Sequence, residues 1–106
     1  MSILLVDDEK PLLALLQRFL ERAGYRVDVA ETGSGALEKC RARPCPYSVV
    51  VLDLGLPDIS GTELLPELLA ASPSLHVVIS SGTPFHPQAL PAPMQTRVAA
   101  ILKPFM

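Results

Sequence analysis

Three aspartates follow directly on apolar runs of the sequence. Asp7 and Asp8 come after ILLV at residues 3–6, and Asp53 comes after VVVL at residues 49–52. Carboxylates that share one crevice repel one another, and a hard divalent cation relieves that repulsion. Mg²⁺ binds through one or two carboxylates and leaves positions for phosphate oxygens. These residue types at these places therefore predict a magnesium site that can receive a phosphoryl group.

Two later apolar runs also end in polar residues. Ser80 and Ser81 follow LHVVI, and Lys103 follows VAAIL. A lysine supplies a second fixed positive charge, which stabilises the charge that develops on a transferring phosphoryl group. With Asp53 as the nucleophile the product is an aspartyl phosphate, and Ser80 can donate a hydrogen bond to one of its oxygens.

Each of these residues has a structural interpretation when it is taken alone. Asp8 can cap a helix that starts near Lys10. Asp53 can be a turn residue ahead of Gly55. The two serines can be loop hydroxyls, and Lys103 can be a solvated surface cation. The occurrence of the whole set at strand ends favours the functional interpretation.

Strand and helix patterns alternate along the chain, which indicates an α/β fold. Such alternation predicts a parallel sheet with helices on both faces, and functional groups gather at the carboxyl ends of its strands. Apolar residues recur at helical spacing in three segments, and shorter runs are typical of strands. The predicted helices are 10–24, 32–43 and 61–72, and the predicted strands are 3–6, 25–30, 47–53, 75–80 and 98–102.

The spacing also predicts which helical residues face the core and where helices begin and end. Gly24 suits the end of the first helix, and Thr32 or Ser34 suits the start of the second. The residues predicted to face inward are Leu12, Leu15, Leu16, Phe19, Leu20 and Ala23 in the first helix, and Leu64, Leu65, Leu68 and Leu69 in the third.

Prolines disrupt the window from Gly82 to Thr96. A helix there would lose a backbone donor at each interior proline, at about 3 kcal/mol or more apiece. We expect a loop, or one or two helical turns near Gln88 to Leu90, where a fourth helix would stand. The prolines are Pro84, Pro87, Pro91 and Pro93.

Length and composition limit the function classes. A chain of 106 residues predicts one domain, 1–106, with a single core. With 9 basic and 11 acidic residues its net charge is −2, which argues against a nucleic-acid partner. No apolar run is long enough for a membrane span, and the charged start is not a secretory signal, so we expect no membrane contact and a cytoplasmic location. Cys40 and Cys45 are then expected to be reduced thiols.

Over nearly its whole length the sequence resembles the response-regulator receiver (CheY-like) domain of two-component signal transduction. The pieces that carry the resemblance are ILLVDDE, VVLDLGLPDISG, VVISSG and ILKPF. The resemblance implies a flavodoxin-like, doubly wound sheet of five parallel strands in the order 2-1-3-4-5. It also implies a phosphoprotein of a phosphorelay, which takes its phosphoryl group from a histidine kinase or phosphotransfer domain and is not itself an enzyme in the usual sense.

The family's functional residues map onto this sequence one by one. The resemblance makes Asp53 the phosphoacceptor, Asp8 a direct Mg²⁺ ligand and Asp7 a ligand through water. The backbone carbonyl of Gly55 is implied as the third protein ligand. The switch hydroxyl is implied at Ser80, the phosphate-pairing lysine at Lys103, and a cis peptide bond at Lys103–Pro104.

The sequence departs from the family at two places. The switch aromatic of the family falls on Ala100, so signal output through the usual face is in doubt. The chain also ends at Met106, where members of the family continue into a fifth helix that packs beside the first. We therefore expect a partly bare sheet face, and either a longer parent protein, such as a hybrid histidine kinase, or a homodimer that covers this face.

Two other functions stay open. A degenerate receiver that serves only as a protein-interaction module is favoured by Ala100 and by the broken fourth helix. A phosphohydrolase of the haloacid-dehalogenase type would also place an aspartate after an apolar strand. It would need a second acid two residues after Asp53 to protonate the leaving group, and that position is Gly55.

Overall fold

Strands and helices alternate in the structure as the sequence predicts. The computed structural model describes residues 2–42, 45–82, 86 and 90–102. The strands are β1 Ser2–Val6, β2 Arg26–Ala30, β3 Val49–Asp53, β4 His76–Ser81 and β5 Val98–Leu102. The helices are α1 Lys10–Arg22, α2 Gly33–Cys40, α3 Gly61–Ala71 and α4 Ala92–Gln95.

The five strands form one parallel sheet in the order β2-β1-β3-β4-β5. This order confirms the predicted flavodoxin-like, doubly wound fold. The strand order reverses between β1 and β3, and in sheets of this kind ligands bind in the crevice beyond the carboxyl ends of the strands at that point.

The two faces of the sheet carry separate apolar clusters. Helices α2 and α3 cover one face, where residues such as Leu4, Val50 and Ile79 are completely or almost completely buried. Helix α1 covers the other face over β1 and β2, where Ile3 and Val27 are buried. Burial of this apolar area is the main favourable contribution to the free energy of folding.

Helix α1 buries a narrower stripe than the sequence predicts. Its fully buried residue is Leu13, and Leu16 and Leu20 pack beside it on the sheet. Leu15 and Phe19 are 65% and 71% exposed. The prediction of an inward face was wrong for these members because the sheet contacts only the stripe at i, i+3 and i+7 through Leu13. The exposed members of the predicted face are Leu15, Phe19 and Ala23.

The predicted ends of the helices are close to the observed ones. Gly24 has a φ of 100°, a left-handed conformation that glycine adopts without strain, and it follows the end of α1. The Thr32 side chain accepts a hydrogen bond from the Gly35 N–H at 3.1 Å and so caps α2. In α3 the four predicted leucines are all buried.

The structure describes one helical turn in the proline-rich window, α4 at Ala92–Gln95, and Leu90 is in a bend. Proline is tolerated at the start of a helix, where no intrahelical donor is needed, so Pro93 is compatible with this turn. The turns expected near Gln88 to Leu90 stay a prediction. Residues 87–89 lie outside the described residues.

Among the described residues, no helix packs over the β4–β5 half of the sheet face that α1 covers elsewhere. Val78 is half-buried, Ala99 is exposed, and Ile101 is 40% exposed. Whether a homodimer or another partner covers this surface stays a prediction. Among the described residues, no helix is long and apolar enough to cross a bilayer.

Candidate functional site

Three carboxylates meet beyond the carboxyl ends of β1 and β3. One oxygen of each of Asp7, Asp8 and Asp53 lies within 4.8 Å of the others. Asp7 and Asp53 are 5% and 9% exposed, whereas Asp8 is exposed to solvent. The sequence predicted this group, and the structure brings its three acids together.

The backbone holds the Asp7 side chain in place. The Asp7 N–H donates to the Ala30 carbonyl at 3.1 Å, which extends the β1–β2 pairing by one residue. The Asp7 carboxylate accepts a hydrogen bond from the Glu9 N–H at 3.0 Å. Glu9, not Asp8, stands at the start of α1, and it makes no side-chain cap. Helix capping therefore does not account for Asp8.

Asp53 combines a turn contact with its place in the acidic group. Its Oδ1 accepts a hydrogen bond from the Gly55 N–H at 3.3 Å. A Cβ at position 55 would stand 4.0 Å from both carboxylate oxygens of Asp53, so the Gly55 backbone passes close to them. The turn interpretation and the site interpretation of Asp53 thus describe the same local structure.

Ser80 lies beside Asp53 on the neighbouring strand. The two residues are paired in the β3–β4 register and share a sheet face. Ser80 is 2% exposed, and its Oγ has no hydrogen-bond partner among the described residues. A buried hydroxyl without a partner is costly, by about 1–3 kcal/mol. This hydroxyl is therefore suited to donate to a ligand atom held next to Asp53.

The donor set fits a magnesium ion. It consists of hard carboxylate oxygens, partly exposed to water, at the rim of a sheet. Mg²⁺ prefers oxygen ligands, uses one or two carboxylates and keeps several waters. An ion at this position would offset the repulsion among Asp7, Asp8 and Asp53. Thiol and imidazole groups, which suit softer metals, do not belong to this group.

Of two further positions that the sequence singled out, the structure describes Ala100 but not Lys103. Lys103 and the Lys103–Pro104 bond lie outside the described residues. Ala100 is half-buried and packs against the apolar cluster under α2 and α3. Its register partner on β4 is Ile79, so Ala100 lies on the sheet face opposite Asp53 and Ser80.

The loop between β3 and α3, residues 54–60, contains an acid that the sequence analysis missed. Asp58 accepts hydrogen bonds from the Gly33 N–H at 2.8 Å and from the Ser34 N–H at 3.0 Å. The Ser34 and Gly33 N–H groups lower the pKa of Asp58 to about 2. Only the tertiary structure shows this contact, because 25 residues separate Gly33 from Asp58.

A second polar cluster lies near the other end of the sheet. The Tyr47 hydroxyl donates to Asp28 Oδ2 at 2.6 Å, and burial together with this bond raises the pKa of Tyr47. Burial raises the pKa of the Cys40 thiol to about 12, with a further contribution from nearby Cys45. Both cysteines are free thiols.

Comparison with known proteins assigns the family. Residues 3–106 match the response regulator receiver domain. The chain is 43% identical over 77 residues to the transcriptional regulatory protein CreB of Escherichia coli. This alignment covers 73% of this chain and 33% of CreB. The chain belongs to the response regulator receiver domain family. It spans less than half of the length of CreB and of other curated relatives, such as RegA of Rhodovulum sulfidophilum at 43%.

Solved receiver structures share the fold over almost the entire chain. The receiver domain of HemR from Leptospira biflexa is 32% identical with a TM-score of 0.83, and it matches 99% of this chain and 83% of its own. The response regulator TrrA from Thermotoga maritima is 30% identical with a TM-score of 0.80, over 98% of this chain and 87% of its own. TrrA was crystallised in complex with Mg²⁺ and BeF.

Proposed function

We propose that this domain is a phosphoacceptor that takes a phosphoryl group from a histidine kinase or phosphotransfer domain onto Asp53, in a reaction that depends on Mg²⁺. The observation that carries the proposal is the meeting of the carboxylates of Asp7, Asp8 and Asp53 within 4.8 Å of one another. The family of two-component receivers to which the chain belongs gives the reaction class. The TrrA complex with Mg²⁺ and BeF supports the choice of cation.

In the proposed reaction a carboxylate oxygen of Asp53 attacks the phosphorus of a phosphohistidine. The new oxygen–phosphorus bond forms as the nitrogen–phosphorus bond breaks, and the electron pair of the broken bond stays on the imidazole nitrogen. That nitrogen then takes up a proton from water. The Gly55 N–H orients the Asp53 carboxylate, because it donates to Oδ1 at 3.3 Å. Little covalent chemistry is left for other side chains, so positioning and charge stabilisation dominate.

The surrounding groups hold the transferred phosphoryl. We assign Asp7, Asp8, Asp53 and the Gly55 carbonyl as the residues that would hold Mg²⁺, which supplies positive charge to the phosphoryl oxygens. Ser80 donates its hydroxyl to one of these oxygens, which gives a partner to a buried group that has none among the described residues. Lys103 is assigned as the second cationic partner, from the ILKPF match to the family.

The test is phosphoryl uptake from a small donor such as acetyl phosphate, followed by intact-protein mass spectrometry. We expect one phosphoryl group per chain in the presence of Mg²⁺ and none with a chelator. Asp53→Asn should abolish uptake, whereas Glu38→Gln, an exposed substitution on α2, should leave it unchanged. Uptake that survives in Asp53→Asn would contradict the assignment. Multiple turnover on a phosphomonoester would instead favour the phosphohydrolase.

One observation favours a second function, an interaction module without phosphoryl chemistry. Ala100 offers no ring that could rotate and report a change at Asp53. Calorimetric titration with Mg²⁺ separates the two functions, because the phosphoacceptor needs a cation at Asp7, Asp8 and Asp53. Magnesium binding that Asp53→Asn weakens supports the phosphoacceptor, and the absence of binding supports the interaction module.

A further inference from the structure

The loop of residues 54–60 makes a two-point contact with the start of α2. Both oxygens of the Asp58 carboxylate are used, one for the Gly33 N–H at 2.8 Å and one for the Ser34 N–H at 3.0 Å. The first N–H groups of a helix have no acceptor within the helix. Asp58 therefore caps a helix to which its own loop does not belong.

Two side chains, those of Thr32 and Asp58, accept hydrogen bonds from the first N–H groups of α2. Thr32, the residue that precedes the helix, accepts from the Gly35 N–H. The Gly33 and Ser34 N–H groups are taken by Asp58. With a pKa of about 2, Asp58 is ionised at neutral pH, and a negative charge at a helix N-terminus is favourable. Two independent groups thus cap one short helix, and only one of them ties it to the β3–α3 loop.

Close packing fixes the same contact. A Cβ at position 33 would stand 1.9 Å from Cγ2 of Ile59, so only glycine lets the loop lie this close to α2. The base of the loop is closed by the Gly61 N–H, which donates to the Leu54 carbonyl at 3.1 Å. The loop is therefore fastened at its base and at its tip. Between these points lies Gly55, which donates to Asp53.

We propose that Asp58 is a positioning residue of the acidic site: by fastening the β3–α3 loop to α2, it holds Gly55 and, through it, the Asp53 carboxylate in the orientation that binds Mg²⁺. This proposal rests on the proposed function. Asp58 does not belong to the acidic group of Asp7, Asp8 and Asp53. It acts on Asp53 through the backbone of residues 55–58, so its effect is on the geometry of the site.

The geometry matters because Mg²⁺ tolerates little distortion. It requires near-octahedral ligands at about 2.0–2.1 Å. A loop released from α2 would let the Gly55 backbone move away from Asp53. Coupling between two sites is reciprocal in free energy, so Mg²⁺ binding should also strengthen the contact between Asp58 and α2. Exchange of the Gly33 and Ser34 amide hydrogens should then slow when Mg²⁺ is added.

The experiment measures Mg²⁺ affinity of the 106-residue chain and its variants by calorimetry, since the chain has no tryptophan to report binding by fluorescence. Asp58→Ala should weaken Mg²⁺ binding about tenfold, the lower end for partners that orient metal ligands. Asp58→Asn keeps one acceptor oxygen and should give an intermediate affinity. It also provides a second variant if Asp58→Ala folds poorly. Hydrogen exchange at Gly33 and Ser34 is followed with and without Mg²⁺.

Thr32→Ala is the matched control. It removes the other cap of α2 and should lower thermal stability, but it leaves the loop contact intact and should not change Mg²⁺ affinity. Equal affinity in the wild type and Asp58→Ala, or an equal loss in Thr32→Ala, would overturn the positioning role. If the wild-type chain binds no Mg²⁺, the proposed function and the positioning role both fail. If the wild type binds Mg²⁺ and Asp58→Ala binds it with the same affinity, the proposed function stands and the positioning role alone fails.

Discussion

Asp53 and Ser80 occupy paired positions on neighbouring parallel strands, with both side chains on one sheet face. Asp53 is 9% exposed, Ser80 is 2% exposed, and the Ser80 hydroxyl has no partner among the described residues. The parallel register thus places a candidate nucleophile beside a buried hydroxyl that no described residue pairs with. A group bound to Asp53 is expected to accept a hydrogen bond from the Ser80 hydroxyl.

This relationship predicts opposite effects of Ser80→Ala on stability and on phosphoryl uptake. Without a bound phosphoryl group the substitution should raise the free energy of unfolding by up to about 1 kcal/mol, because it removes a buried hydroxyl that has no partner among the described residues. Uptake from acetyl phosphate should become slower. Urea denaturation and the mass assay measure the two effects. Ser81→Ala is the control for uptake, since Ser81 lies on the opposite face, and a stability loss in Ser80→Ala would contradict the prediction.

A second prediction concerns Arg97, which precedes β5. Its guanidinium donates to the carbonyls of Leu69, Ser72 and Leu75, at and beyond the end of α3. Arg97→Met should lower the free energy of unfolding by about 2–3 kcal/mol, because hydrogen bonds from a charged donor are lost and carbonyls are left unpaired. Denaturation in urea is the measurement.

The matched control for Arg97 is Arg41→Met. Arg41 makes an exposed ion pair with Glu67 at 4.0 Å. Exposed ion pairs contribute about 0–1 kcal/mol, so this variant should lose little stability. Equal losses in the two variants would show that the contacts of Arg97 with the end of α3 stabilise the fold no more than an exposed ion pair does.

The Tyr47–Asp28 hydrogen bond predicts an alkaline loss of stability. The folded state raises the pKa of Tyr47 above its usual value of 10.0, chiefly through burial, so the unfolded chain releases this proton first. The stabilisation is therefore complete below pH 10 and decreases as the pH rises above it. Tyr47→Phe should reduce the difference in unfolding free energy between pH 9 and pH 11. A difference that is unchanged in Tyr47→Phe would assign the loss to other groups.

The two cysteines should differ in reactivity. Cys40 is completely buried and its pKa is raised to about 12, whereas Cys45 is half-buried. Because the thiolate is the reactive form, a thiol reagent should modify Cys45 first and Cys40 only on unfolding. The rates are followed with Ellman's reagent, and Cys45→Ser should remove the faster phase. A fast phase that persists in Cys45→Ser would contradict this order.

The sequence predicted those residues of the site that a local pattern marks. Asp7, Asp8, Asp53 and Ser80 each follow an apolar run, and parallel strands bring such residues to one edge. The Asp58 contact could not be predicted, because nothing near residue 58 indicates that a helix begins beside it in space. The prediction of which residues of α1 face inward was partly wrong. Leu13 and Leu15 are both apolar, and their spacing does not show which of them contacts the sheet.

The sequence by itself determined the alternation of strands and helices, the acids at the strand ends, and the poor fourth helix. These features depend on periodicity and on the chemistry of single residues, which act over a few neighbours. The tertiary structure alone decided that Asp58 caps α2, that Arg97 holds the end of α3, and that Leu13 is buried. The contacts of Asp58 and Arg97 join residues more than 20 positions apart, for example 25 for Asp58 and Gly33, where the local sequence carries no information about distance. The burial of Leu13 depends on how α1 packs on β1 and β2, which the spacing of apolar residues does not decide.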